Sequence, residues 1–163
     1  MSIEVIDDFL PLKQFKPIED LLMGSYFPWF YNPFVVHEIE PELTEFQFVH
    51  AFYRRLVGVC SPHYDVVKPC VDKLKAQVLI RCKSNLNPVT ETPVIRSFHT
   101  DTDIDCKTAI YYVNSNNGCT IFEDGTKIES VANRMLIFDT SYSHTGITCT
   151  DTKTRVLINF NYI

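Results

Sequence analysis

Long apolar runs, blocks of basic residues and C-x-x-C pairs are all missing from this sequence. No hydrophobic stretch approaches the ~18 residues that a membrane-spanning helix needs, and Met1-Ser2-Ile3-Glu4 lacks the positive charge that opens a secretory signal. These absences give the expectation of a soluble, cytoplasmic protein. Without a Lys/Arg-rich block, and with a formal charge of −5, the chain has no general electrostatic reason to hold a phosphate backbone, so nucleic acid is a poor partner. The six cysteines, Cys60, Cys70, Cys82, Cys106, Cys119 and Cys149, are scattered through apolar contexts without the spacing of a structural zinc site. Buried free thiols suit them better. There is no internal repeat and no low-complexity tract.

What is present is apolar and strongly patterned. At 163 residues, 45% hydrophobic and 13% aromatic, the chain can bury one sizeable core, which predicts a single domain over 1–163. Residues 1–76 read as a mostly helical covering region. Pro11 to Met23 and Glu42 to Val59 carry apolar residues at spacings of three and four, and the prolines of Ser61-Pro62 and Lys68-Pro69 suit helix starts for a third helix reaching Lys75. From 77 to 163 the period becomes two. Gln77 to Cys82, Val94 to His99, Lys107 to Val113, Cys119 to Phe122, Lys127 to Val131, Arg134 to Phe138 and Arg155 to Tyr162 read as strands, with a short eighth around His144 to Cys149. That count predicts a mainly β fold with covering helices, a jelly-roll or cupin-like barrel. The turn-rich piece Lys83 to Pro93 reads as a loop beside the acidic cluster that follows it.

That cluster is the chemical centre of the sequence. Ser97-Phe98-His99-Thr100-Asp101-Thr102-Asp103-Ile104-Asp105 sets three carboxylates at alternate positions, and their mutual repulsion must be offset by a cation, a basic partner or open water. In a strand, His99 and Asp101 would point the same way and could share one metal ion. His144 follows an apolar strand in a polar loop, a plausible return path for a third ligand. Two imidazoles and a carboxylate on one face leave three positions of an octahedral ion open, the arrangement used by non-haem iron(II) oxygenases. Taken alone, His99-x-Asp101 is weak evidence, and a surface turn with a satisfied histidine is the plainer alternative. His63-Tyr64-Asp65 has the same spacing but sits at an expected helix start, where Asp65 suits the helix dipole. His37 and His50 lack partners at useful spacing. Asp103 and Asp105 read as supporting or exposed groups, since more carboxylates would fill positions the chemistry needs empty. The final strand places Arg155, Leu157, Asn159 and Asn161 on one face; an arginine inside a barrel requires an anion, while an edge-strand arginine in water is the plainer reading of an isolated case.

Together these residues resemble the iron(II)- and 2-oxoglutarate-dependent dioxygenases, particularly their prolyl hydroxylase-like branch. His99-x-Asp101, His144 and Arg155 look like that family's signature, and Ala109 to Asn114, Gly118-Cys119-Thr120-Ile121-Phe122 and Asn133 to Phe138 are similar to its flanking strands. The similarity is clear over 77–163 and looser before it, through Ile6-Asp7-Asp8-Phe9-Leu10 and Phe27-Pro28-Trp29. Where the family often has two glycines, Asn117-Gly118 stands here. The resemblance implies a double-stranded β-helix in which His99, Asp101 and His144 hold Fe(II). It implies that Arg155 pairs with the distal carboxylate of 2-oxoglutarate, assisted by Tyr112 and Asn159, with ascorbate as the candidate reductant. It implies hydroxylation of an unactivated carbon with dioxygen, and an intact Asp101 favours hydroxylation over halogenation. Peptidyl proline is the first candidate substrate, a free amino acid or other small metabolite the second, and a nucleobase a distant third. Lys83 to Pro93 would be a lid loop. A non-catalytic cupin-like module that binds a metal or ligand is the alternative from a different class.

Overall fold

The computed structural model describes residues 2–35 and 46–163. In chain order the elements are β1 (Ile3–Ile6), α1 (Leu12–Leu22), β2 (Phe30–Asn32), β3 (Gln47–Arg54), β4 (Gly58–Val59), α2 (Tyr64–Leu74), β5 (Leu79–Pro88), β6 (Lys107–Tyr112), β7 (Asn116–Phe122), β8 (Lys127–Ser130), β9 (Arg134–Asp139), β10 (His144–Ile147) and β11 (Thr154–Tyr162). They form an eight-stranded sheet in the order β1-β9-β6-β11-β5-β3-β2, with β4 paired to β3, and a three-stranded sheet in the order β10-β7-β8. The pairings are antiparallel throughout. This is the jelly-roll, or double-stranded β-helix, that the strand count predicts.

Alternation along β11 organises the interior. Val156, Ile158, Phe160 and Tyr162 join the core beneath the helices, where Phe15, Ile18 and Leu22 of α1 and Val67 and Cys70 of α2 also lie. Burying each of these larger apolar side chains is worth about 1.5–3 kcal/mol. The opposite face of β11 looks into the space between the sheets, closed at one end by Ile110, Phe122, Leu136, Phe138 and Leu157. Asn133, at φ 63°, ties the amino-terminal segment to this frame. Its Oδ1 accepts hydrogen bonds from the Leu10 amide (2.9 Å) and the Tyr111 hydroxyl (2.6 Å), and its Nδ2 donates to the Leu10 carbonyl (2.8 Å).

Several expected elements differ. Residues 1–76 are not mostly helical: α1 and α2 have 11 residues each, and β1 to β4 all belong to the large sheet. The helix expected over Glu42 to Val59 is β3 and β4 within its described part; residues 42–45 and His37 lie outside the described residues. Both faces of β3 are covered, so apolar residues occur at spacings that suit either period. Pro69 lies inside α2 rather than starting a new helix, and one helix replaces the two starts. Lys83 to Pro88 is no loop but the second half of β5, hydrogen-bonded between β3 and β11. Val94 to His99 forms only two isolated bridges, Ile95 to Ile147 and His99 to His144. The cysteines are all free and all but Cys60 are buried. No helix among the described residues is long and apolar enough to cross a membrane.

Candidate active site

His99 and His144 face each other across an isolated bridge, each amide donating to the other's carbonyl at 3.0 Å. Their ring centroids are 4.9 Å apart, and Asp101 stands beside them, so that one ligand atom from each of the three lies within 4.8 Å of the others. The Nδ1 atoms of His99 and His144 sit 3.2 Å from the carbonyl oxygens of Ser97 and Tyr142. A carbonyl can only accept, so each Nδ1 carries the proton and each Nε2 offers its lone pair to the cluster. Burial against Phe138 and Phe122 holds His144 below the usual imidazole pKa, outweighing the pull of Asp101. It is therefore neutral, as a metal ligand must be.

Asp101 is held from two sides. Arg81 Nη2 lies 3.0 Å from Oδ1, and Asn161 Nδ2 donates to Oδ2 at 3.2 Å. Burial alone would raise its pKa, but Arg81, with His144, Asn161 and His99, keeps the carboxyl below the ordinary value. The side chain is 5% exposed and ionised. Asp103 and Asp105 are exposed and outside the cluster, so the repulsion suggested by their spacing is met largely by water. The other histidines serve different ends. His50 is a core residue that bonds the Pro28 carbonyl and the Ser61 hydroxyl, while His63 stands just before α2 without a side-chain hydrogen bond to the helix, and Asp65 lies in the first turn.

A cavity of about 330 Å³ opens from this cluster between the two sheets. Arg155 closes its far side and is 3% exposed. Its Nε donates to Ser130 Oγ (2.9 Å) and its Nη2 to Thr120 Oγ1 (3.2 Å), with no carboxylate partner among the described residues. Burial lowers its pKa, opposed by Tyr112, Cys119 and Cys149, yet an arginine starts so high that the charge remains. Two glycines make room for it. A Cβ on Gly118 would stand 2.8 Å from Arg155 Cδ, and one on Gly146 would stand 3.3 Å from Nη1. Gly118 is thus the glycine of the Asn117-Gly118 pair on which the site depends.

The expected helpers of Arg155 occupy different positions. Tyr112 is fully buried behind Thr120, to which its hydroxyl donates at 2.7 Å, and its ring lies 5.7 Å from the Arg155 guanidinium carbon, so it meets the cavity through those two residues rather than lining it. Asn159 does line the cavity, and its Oδ1 is buried without a hydrogen-bond partner. Arg81, Lys83, Asn85 and Asn87 of β5 stand opposite Asn161, Asn159, Leu157 and Arg155 of β11. Sequence reasoning missed this row, because the polar residues of a cavity-facing strand have the composition of a turn. Their alternation with Cys82, Ser84 and Leu86 was the available signal.

No family model matches the chain, and no curated protein matches it. Solved structures do. A prolyl hydroxylase from Trichoplax adhaerens, in complex with a hypoxia inducible factor oxygen degradation domain peptide fragment, is 16% identical with a TM-score of 0.67, over 99% of this chain and 83% of its own. A viral collagen prolyl hydroxylase from Paramecium Bursaria Chlorella virus-1, in its 2-oxoglutarate complex, is 13% identical with a TM-score of 0.66, over 99% and 95%. A non-heme alpha-ketoglutarate-dependent epimerase from nogalamycin biosynthesis is 13% identical with a TM-score of 0.65, over 99% and 77%. At these identities the likeness is one of architecture: the chain shares the double-stranded β-helix scaffold of these proteins.

Proposed function

We propose that the protein is an iron(II)- and 2-oxoglutarate-dependent dioxygenase of the prolyl hydroxylase-like branch. The observation that carries the reading is the presence, in one cavity, of a three-ligand cluster and a buried arginine without a carboxylate. The donor set fits the metal: two imidazoles with free Nε2 atoms and an ionised carboxylate make a facial triad with open positions. The arginine fits the co-substrate, since a desolvated guanidinium is uncompensated until an anion meets it. The fold shared with prolyl hydroxylases supports the same assignment.

Each residue then has a task. His99, Asp101 and His144 hold the ion, with the carbonyls of Ser97 and Tyr142 fixing the tautomers. Arg81 and Asn161 orient Asp101 and keep it ionised. Arg155 binds the distal carboxylate of 2-oxoglutarate, and Ser130 and Thr120 aim its fork; Tyr112 positions Thr120. Asn159 offers a further polar contact. Bound iron with these co-substrates supplies the oxidation: a C–H bond of the substrate becomes C–OH, one oxygen atom of O₂ going there and the other into succinate as 2-oxoglutarate loses carbon dioxide. Ascorbate would keep the metal ferrous.

Succinate release from 2-oxoglutarate, dependent on iron(II) and dioxygen, tests the reading. It is expected from the native chain and absent from His99→Ala and His144→Ala. A chain that binds iron but never consumes 2-oxoglutarate, with or without peptides and amino acids, would be a non-catalytic binding module instead.

A further inference from the structure

Lys83 has no part in the chemistry above, yet it stands on the cavity face of β5, two residues from Arg81 and directly across from Asn159. Among the described residues it makes neither a hydrogen bond nor an ion pair. The carboxylate lining the cavity, Asp101, is already held by Arg81 and Asn161. Two cations therefore share one strand face, and the one carboxylate near them is paired to Arg81, an arrangement that leaves Lys83 repelled unless an anion joins it. Burial, together with Arg81, pushes the Lys83 ammonium down to about 8, with Asp101 pulling the other way. A lysine held like this could point to solvent if packing were its only role.

The co-substrate does not supply the missing charge. Of its two carboxylates, the distal one is matched to Arg155 and the other belongs with the metal. Lys83 has neighbours that want donors. Asn159, directly across from Lys83, and Asn85, two residues along the same strand, each hold a buried Oδ1 without a partner, and both line the cavity. A cation beside unpaired acceptors is the negative imprint of a molecule carrying both a carboxylate and N–H or O–H groups. A neutral prolyl residue within a chain would leave the ammonium unmatched.

We propose that the substrate is a small carboxylic acid with hydrogen-bond donors of its own, a free amino acid being the simplest, whose carboxylate pairs with Lys83 while its donors meet Asn85 and Asn159. This rests on the dioxygenase reading of the same cavity and selects the small-molecule candidate over peptidyl proline.

The test uses the iron-loaded full chain at saturating 2-oxoglutarate. The probes are the twenty free amino acids and their hydroxy-acid analogues, each beside its neutral primary amide, and a proline peptide blocked at both ends. Substrate-stimulated succinate release is one readout, and calorimetric binding to the zinc-substituted protein is the other. At least one acid should bind and stimulate roughly ten- to a hundredfold better than its amide, the range of a hydrogen bond to a charged group. Lys83→Met, shown to be folded by circular dichroism, should erase that preference, and Lys83→Arg should restore part of it. The proposal is overturned if the blocked peptide outperforms every acid, if no acid surpasses its amide, or if Lys83→Met keeps the preference. A steep rise in the 2-oxoglutarate requirement of Lys83→Met, with the preference intact, would assign the lysine to the co-substrate instead. Native protein that binds iron but yields no succinate under any condition would defeat the dioxygenase reading itself, a result distinct from all of these.

Discussion

Replacing Arg155 with leucine separates the two ends of the cavity. Arg155 is 3% exposed and, among the described residues, its donors reach only the Ser130 and Thr120 hydroxyls, so under the proposed function its charge is matched by 2-oxoglutarate. Losing one side of a desolvated charge pair costs about 2–5 kcal/mol, which corresponds to tens to thousands of fold in the apparent KM for 2-oxoglutarate. Iron affinity should stay close to native, because Arg155 touches none of His99, Asp101 or His144. A second, equilibrium measurement follows from linkage. With zinc in place of iron, a 2-oxoglutarate concentration one hundred times Kd stabilises the native chain by about 2.7 kcal/mol, roughly 5–10 °C in Tm for a domain of this size. At that concentration Arg155→Leu should gain less than about 1 kcal/mol. In the absence of the ligand the variant should lose little stability, because it removes an uncompensated buried charge along with the hydrogen bonds to Ser130 and Thr120. Arg155→Lys restores charge without the planar fork and should recover part of the affinity. An unchanged KM together with an undiminished thermal shift in Arg155→Leu would refute the assignment of this end of the cavity.

Gly118→Ala places a methyl 2.8 Å from Arg155 Cδ and 2.8 Å from the Ile147 carbonyl oxygen; it should cost about 1–3 kcal/mol of stability by chemical denaturation and raise the KM for 2-oxoglutarate with it. Asp101→Ala should eliminate iron binding by metal titration, whereas Asp103→Ala and Asp105→Ala, at exposed positions, should leave it nearly intact. Asn133→Ala removes three hydrogen bonds and leaves a β-carbon at φ 63°, so it should destabilise the fold by about 3–5 kcal/mol in urea without altering the metal site. Burial lowers the pKa of both His50 and His144, so the unfolded chain binds protons in a window below about 6.5 where the folded chain does not; stability of the metal-free protein should be full above that pH and decline as pH falls through it. Urea unfolding between pH 8 and pH 5 that showed rising stability on acidification would contradict the buried, neutral state of these imidazoles.

The parts of the fold that were legible in the sequence are those where one face is apolar and the other is not. β11 is the clearest: Val156, Ile158 and Phe160 enter the core while Arg155 and Asn159 enter the cavity, as alternation requires. β5 obeys the same rule, but its cavity face carries Lys83, Asn85 and Asn87, whose types suggest a turn when composition is read before period. β3 misled for the opposite reason, being covered on both faces. At the site, spacing could suggest His99, Asp101, His144 and Arg155, because each belongs to a short motif. It could not suggest Arg81 as the partner of Asp101, Thr120 as the partner of Tyr112 or Ser130 as a support for Arg155, since those contacts depend on strand register.

β11 also bears on how the molecule is assembled in time. It follows every other strand in the chain, yet it lies inside the large sheet with β5 on one side and β6 on the other. During synthesis, both of those strands leave the ribosome before their common neighbour exists, each presenting a row of unpaired amides and carbonyls. Closing the gap joins segments far apart in the chain, the kind of contact that slows folding. Refolding yield should therefore depend steeply on protein concentration, since β5 or β6 of a second molecule can fill the gap before β11 arrives. The same insertion carries Arg155 and Asn159 into the cavity, so the cavity wall and the centre of the sheet form in a single step.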